Sequence, residues 1–203
     1  KNRNLDLVQS SESSSDSIPY FELNNEDNIK TFKSSDYDIS HQIVEHMMIL
    51  NNEIIATKLT DMNLPIIYRT HPQPKSKKIK QFFEFTKSIG FSAPKFLLKN
   101  LKDSKEIYNF FMNVYNSLTN KKTLQDCLKI KYKKIQSSAY YSPENNGHFG
   151  LNLDNYTHFT SPIRRYSDLV IQRILVGDYY NYSDLKIISD HCTYTSQNSK
   201  SCE

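Results

Sequence analysis

The segment THFTSPIRRYSDLVIQRIL, residues 157–175, reads as a helix that carries its own start signal. Ser161 is a cap residue, Pro162 suits the first helical position, and Gly177 supplies the stop. Arg164 and Arg165 then fall in the first turn, where the positive end of the helix dipole favours acids. The free N–H groups of a helix N-terminus make an anion site, and two guanidinium groups there suit a phosphodiester. A competing reading is a surface ion pair between Arg164 and Asp168, four residues apart. That pair explains neither Arg165 nor the capped start.

Just upstream, YSPENNGHFGLNLDNY (141–156) sets Gly147 and Gly150 around His148 and Phe149. The spacing fits a tight turn in which backbone can approach a ligand closely. Three of the four glycines lie between Gly147 and Gly177, so the chemistry is sought in 141–177.

Charge is distributed unevenly. Residues 71–135 hold fifteen Lys against four Asp and Glu, a net +11 within a chain of net +4, while residues 1–61 are net −6. A basic middle suggests a polyanion partner, with a solvated lysine surface as the bland alternative. No apolar run is long enough to span a bilayer and no signal-peptide pattern opens the chain, which excludes a membrane-spanning reading. The chain starts at Lys1 rather than Met, the mark of a processed form or an excerpt. Cys127, Cys192 and Cys202 lack metal-ligand spacing and are odd in number, so a reducing, cytoplasmic setting is expected.

SSESSSDS (10–17) reads as a surface loop and IPYFEL (18–23) as a strand. SHQIVEHMMILNNEIIATKL (40–59) is the clearest helix. Its apolar stripe is Ile43, Met47, Leu50 and Ile54, widened by Val44, Met48, Ile55 and Leu59, and Glu45 and Asn52 form a polar line. IIYRTH (66–71) reads as a strand. KKIKQFFEFTKSIG (77–90) is helical and stops at Gly90. DSKEIYNFFMNVYNSL opens on a capping box, Asp103 to Glu106, with Ile107, Phe110, Phe111, Val114 and Leu118 as its core stripe. A basic helix follows over 123–139. The expected fold class is α/β or α+β, with helices packed on a partial sheet. One domain is expected over 1–203: a loop-rich acidic start (1–39), a basic helical part (40–140), the 141–177 segment and a terminal segment (178–203).

YSPENNGHFGLNLDNYTHFTSPIRRYSDLVIQRIL closely resembles the signature near the end of the catalytic domain of the ribonuclease II and ribonuclease R family, in its bacterial ribonuclease R form. SHQIVEHMMILNNEIIATKL, LPIIYRTHPQP, DHCTYTS (190–196) and NLDL (4–7) extend the resemblance in order over almost the whole chain. It implies the second half of a catalytic domain that degrades RNA processively from its 3′ end to nucleoside 5′-monophosphates, using magnesium. Carried over by position, Arg164 is the catalytic arginine and Glu45 contacts the 3′-terminal nucleotide. Arg165, Ser161 and His148 are further RNA contacts. Leu7 stands where the family has a base-clamping aromatic, and leucine can pack on a base but offers no π face.

Two-metal hydrolysis needs clustered carboxylates, and the family's aspartate cluster lies upstream of the segment this chain matches. No metal ligand is therefore assigned here, and the implied partners are single-stranded RNA and the upstream half of the domain. DYD (36–38) reads as capping or solvated loop. His46, His71, His158 and His191 have no ligand spacing and read as ordinary hydrogen-bonded side chains. Two rivals stand beside the nuclease: a catalytically inactive RNA-binding remnant or a subunit completing a nuclease in trans, and a helical adaptor whose basic surface binds protein.

Overall fold

The computed structural model describes residues 17–23, 29–36, 39–101 and 103–202. The chain divides into two compact units, Lys1–Leu50 and Asn51–Glu203. In the first, β1 (Ser17–Leu23) and β2 (Ile29–Asp36) pair antiparallel, with Phe21 and Phe32 in register along the backbone. The start was expected to be loop-rich with one strand; it holds two. The SSESSSDS loop falls, apart from Ser17, outside the described residues, as do Tyr37 and Asp38 of DYD.

Helix α1 spans Ile39–Asp61, and its faces reverse the expectation. Ile43, Met47, Leu50 and Ile54, the apolar stripe, are each 49–64% exposed, and of the residues expected to widen it only Leu59 is fully buried. The inward line is Ile49, Asn52, Ala56 and Leu59, at spacings of 3, 4 and 3. An amide wins an interior place over a row of large aliphatics because its hydrogen bonds are met there, as described below.

In the second unit, β3 (Tyr68–Thr70) pairs antiparallel with β4 (Tyr140–Ser142), Arg69 opposite Tyr141. Between them run α2 (Ser76–Ser88), the short α3 (Lys95–Lys99), α4 (Ser104–Ser117) and α5 (Lys122–Ile135). Asp103 caps α4, its carboxylate accepting the Glu106 N–H at 3.1 Å, as the capping-box pattern predicts. The three longer helices close on an aromatic interior. Tyr132 stacks on Phe111 at 3.9 Å between centroids, Phe82 meets Tyr132 at 5.7 Å, and Phe83 meets Phe110 edge-on at 5.4 Å. After β4 come a 3-10 turn (Phe149–Leu151), α6 (Tyr166–Leu175) and α7 (Tyr182–Cys202).

A second core lies under the β3–β4 pair. Leu59, Ile66, Ile67 and Tyr68 pack with Tyr141, with Val170, Ile171 and Ile174 of α6, and with Leu185 and Cys192 of α7. Burial raises the Cys192 thiol pKa, which keeps it protonated. The fold is thus helix-rich with small two-stranded sheets, as expected.

Candidate anion site at the turn before α6

The helix of 157–175 starts later than its sequence suggests. Residues 162–164 form a turn, the backbone N–H groups of Arg164 and Arg165 reach the Ser161 carbonyl at 3.3 and 3.1 Å, and α6 begins at Tyr166 with Arg165 as its N-cap residue. The arginines therefore precede the helix. The residue actually in its first turn is Asp168, the sign the dipole favours. Gly177 does end the segment, with φ +110° and the Asp178 N–H on the Arg173 carbonyl at 2.9 Å.

Asp168 is fully buried and each of its oxygens has a partner. Its Oδ1 accepts the Ser161 N–H at 2.8 Å, Arg165 Nε at 3.1 Å and Arg165 Nη2 at 2.8 Å, while Oδ2 accepts the Ser167 hydroxyl at 3.1 Å. The competing Arg164–Asp168 pair is therefore not made; Arg165, three residues away, takes that carboxylate. The Arg165 side chain is 20% exposed and its guanidinium braces the turn. Arg164 is exposed, and among the described residues its guanidinium has no ion pair or hydrogen bond.

Three further side chains fix the segment that enters this turn. Asn52 Oδ1 accepts the Phe159 N–H at 3.0 Å, and Asn52 Nδ2 donates to Tyr156 Oη at 3.2 Å. Gln172 Nε2 donates to the Phe159 carbonyl at 3.1 Å, so both backbone groups of Phe159 are held. Thr157 Oγ1 donates to the Ile67 carbonyl at 2.6 Å. Each removes a backbone or hydroxyl group from the choice of alternative conformations.

Behind the turn lies a layer of buried rings. Tyr141 Oη and His158 Nδ1 share a hydrogen bond of 2.9 Å, and the Arg69 guanidinium lies 4.6 Å over the Tyr141 ring. Burial raises the Tyr141 pKa, with Arg69 opposing. His71 and His148 meet edge-on at 5.1 Å. His71 Nδ1 accepts the Gly150 N–H at 3.1 Å and His148 Nδ1 accepts the Leu151 N–H at 3.0 Å. Accepting at Nδ1 leaves the proton of each neutral ring on Nε2. Gly147 takes φ +70°, a conformation that L side chains rarely adopt, at the tight turn the spacing suggested.

Of the expected RNA contacts, Ser161, Arg164 and Arg165 share this turn. His148 lies in the layer behind it, 1% exposed, and it shapes the 147–153 loop through Leu151. Glu45 is half-buried on α1 in the Lys1–Leu50 unit, and Leu7 lies outside the described residues. Asn52, Thr157, Asp168 and Gln172 were not singled out as site residues. The Glu45–Asn52 polar line was the available signal for the first. Among the described residues no group of three or more His, Cys, Asp or Glu could hold a metal ion. Asp168, the carboxylate beside the arginines, already has its oxygens occupied.

Fold and site together define a helix-rich domain that offers one unpaired guanidinium on a braced turn, an arrangement suited to a phosphoryl group. The chain belongs to the family described as RNB domain, which matches residues 2–177. Ribonuclease R 2 of Lactococcus lactis subsp. lactis (strain IL1403) is 37% identical over 140 residues, covering 69% of this chain and 19% of that protein. Ribonuclease R of Aquifex aeolicus (strain VF5) is 35% identical over 144 residues, covering 68% and 18%. Among solved structures, apo RNase R of Mycoplasma genitalium shares the fold with a TM-score of 0.76 at 24% identity, over 98% of this chain and 32% of that one. Yeast Ssd1, described as a pseudonuclease, shares it with a TM-score of 0.61 at 24% identity, over 74% and 19%. The chain thus spans about a fifth of the length of these two curated relatives. Among the described residues no helix is long and apolar enough to cross a membrane.

Proposed function

We propose that this chain is the arginine-bearing, RNA-binding part of the catalytic domain of a cytoplasmic 3′→5′ exoribonuclease that hydrolyses single-stranded RNA to nucleoside 5′-monophosphates. The observation that carries this reading is the division of labour between neighbouring arginines. Arg165 is spent on Asp168, while Arg164, on the same braced turn, is exposed and unpaired. A free planar fork can donate two charge-assisted hydrogen bonds to phosphoryl oxygens. A turn fixed at Phe159 and Ser161 holds the backbone from which that fork reaches, which limits the reorganisation needed as charge develops. The metal ligands and the rest of the domain lie, on this reading, outside the described residues. The exposed stripe of α1 supports a further segment packing there. M. genitalium RNase R has been solved in complex with ribose-methylated single-stranded RNA, which agrees with this substrate class.

A pseudonuclease shares the fold, and fold alone does not assign catalysis. The second reading is therefore an inactive RNA-binding remnant or a subunit completing a nuclease in trans. Kinetics separate the two. The chain alone releases no monophosphate from labelled single-stranded RNA. Joined to the upstream half of an RNB catalytic domain, it does. In that completed domain Arg164→Lys lowers turnover by about 10²-fold or more, the scale of a lost oxyanion donor, and changes RNA affinity little. Near-normal turnover for Arg164→Lys overturns the catalytic role.

A further inference from the structure

The lysines of α2 and α5 carry charge that the fold itself does not use. Of the fifteen lysines in 71–135, the described ones have a single ion pair, Lys105 with Asp154 at 2.9 Å. Helix α5 alone holds five lysines, at 122, 129, 131, 133 and 134, against one acid, Asp126. Lys133 and Lys134 suit the negative end of the helix, but the others gain nothing from the dipole, and like charges a turn apart repel.

The packing arranges these side chains in two seams. Leu128, Tyr132 and Ile135 point α5 inward, so Lys131 and Lys134 flank it on one side, Lys129 and Lys133 on the other. On the first side lies α2, with Lys131 Nζ 5.5 Å over the Phe85 ring. On the second lies α4, with Lys129 Nζ 5.3 Å over the Tyr115 ring and Gln125 Nε2 on the Tyr115 carbonyl at 3.0 Å. Each seam therefore has a half-buried aromatic floor with ammonium groups above it, which steadies long flexible stems without neutralising them.

We propose that α5, with the seams it shares with α2 and α4, is a second RNA-binding surface, separate from the Arg164 turn, that holds phosphate backbone without reading sequence. The proposal rests on the RNA reading above. Ammonium groups on flexible stems are point charges, able to neutralise phosphates and release counterions but unable to select a base. Such a surface would keep a strand bound while its end changes.

The 203-residue chain itself serves for the test. Parent, K131Q/K133Q/K134Q, K131R/K133R/K134R and Arg164→Gln are titrated with single-stranded oligonucleotides of two unrelated sequences across a salt series. Thermal melts accompany each variant, and since the three lysines are exposed the melts stay at the parent value. The triple glutamine variant is expected to flatten the plot of log affinity against log salt by about 2 units, three phosphate contacts on a single strand, and equally for both sequences. The arginine triple retains the parent slope, and Arg164→Gln removes less than about 1 unit. If the triple glutamine variant keeps the parent slope while Arg164→Gln loses binding, the surface is overturned and the arginine reading stands. If the triple variant loses binding and Arg164→Gln does not, the surface stands, and the catalytic role of Arg164 is decided by turnover in the completed domain. Competition by polyglutamate as strong as by RNA overturns the surface in favour of an acidic protein partner. A parent that binds no RNA overturns both.

Discussion

Around Tyr132 the interior is made of rings; beneath Arg164 it is made of hydrogen bonds. In the helical layer, Phe82, Phe111 and Tyr132 interlock with no polar contact among them, and stability there follows buried area and dispersion. Under the turn, Asn52, Thr157, Asp168 and Gln172 each hold a backbone group or a charge. Apolar packing resists expansion but tolerates exchange between similar shapes. Satisfied polar contacts contribute little net energy but allow one arrangement, because any other leaves a buried group unpaired. On the proposed function, placing one guanidinium gives reason to use the second kind of interior there and the first kind elsewhere.

Asp168→Ala is the severest way to break that contrast. It strands the Arg165 guanidinium and the Ser161 N–H together, and the expected loss is about 3–5 kcal/mol in denaturant unfolding. A loss below about 1 kcal/mol would reduce the Arg165–Asp168 pair to the energy of a surface contact. Asn52→Leu comes next. Leucine is similar in size, so the missing Phe159 and Tyr156 partners are isolated from volume, and about 1–3 kcal/mol should go. Hydrogen exchange should quicken at the Phe159 amide and not in α5; uniform quickening would point to general destabilisation. Tyr132→Phe is the smallest. The Tyr132 hydroxyl is buried with no hydrogen-bond partner among the described residues, and burial pushes its pKa far above the usual tyrosine value. Removing that oxygen should leave stability unchanged or raise it by up to about 1 kcal/mol. A clear loss in the melt would mean that the hydroxyl has a partner after all.

Much of the helical layer was legible in the sequence because its determinants are local. The Asp103 cap and the stripe of Ile107, Phe111, Val114 and Leu118 specify α4 with no knowledge of its neighbours. The orientation of α1 was not legible in that way. Its more apolar face is the exposed one, and what turns Asn52 inward is a backbone amide at Phe159, far along the chain. Helix α7 was missed for a similar reason. Its buried positions are Leu185, Ser189 and Cys192, of which one alone is a large aliphatic, although Asn181 accepting the Asp184 N–H marks its start. At the site, the sequence puts both arginines in the first turn of a helix, whereas they precede it, and the ion-pair alternative names the wrong arginine. Three and four residues are both plausible spacings within a helix, and the intervening turn decides between them.

The hydrogen bond from Phe159 to Asn52 joins residues 107 apart, and that from Thr157 to Ile67 joins residues 90 apart. The ring contacts of the helical layer join residues no more than about fifty apart, as Phe82 to Tyr132 does. Contacts across long loops are opposed by greater closure entropy and slow the folding of chains that depend on them. By that ordering the lysine-bearing helices come first and the arginine turn last. A partly folded chain would then hold an RNA-attracting surface before it holds the residue expected to act on RNA.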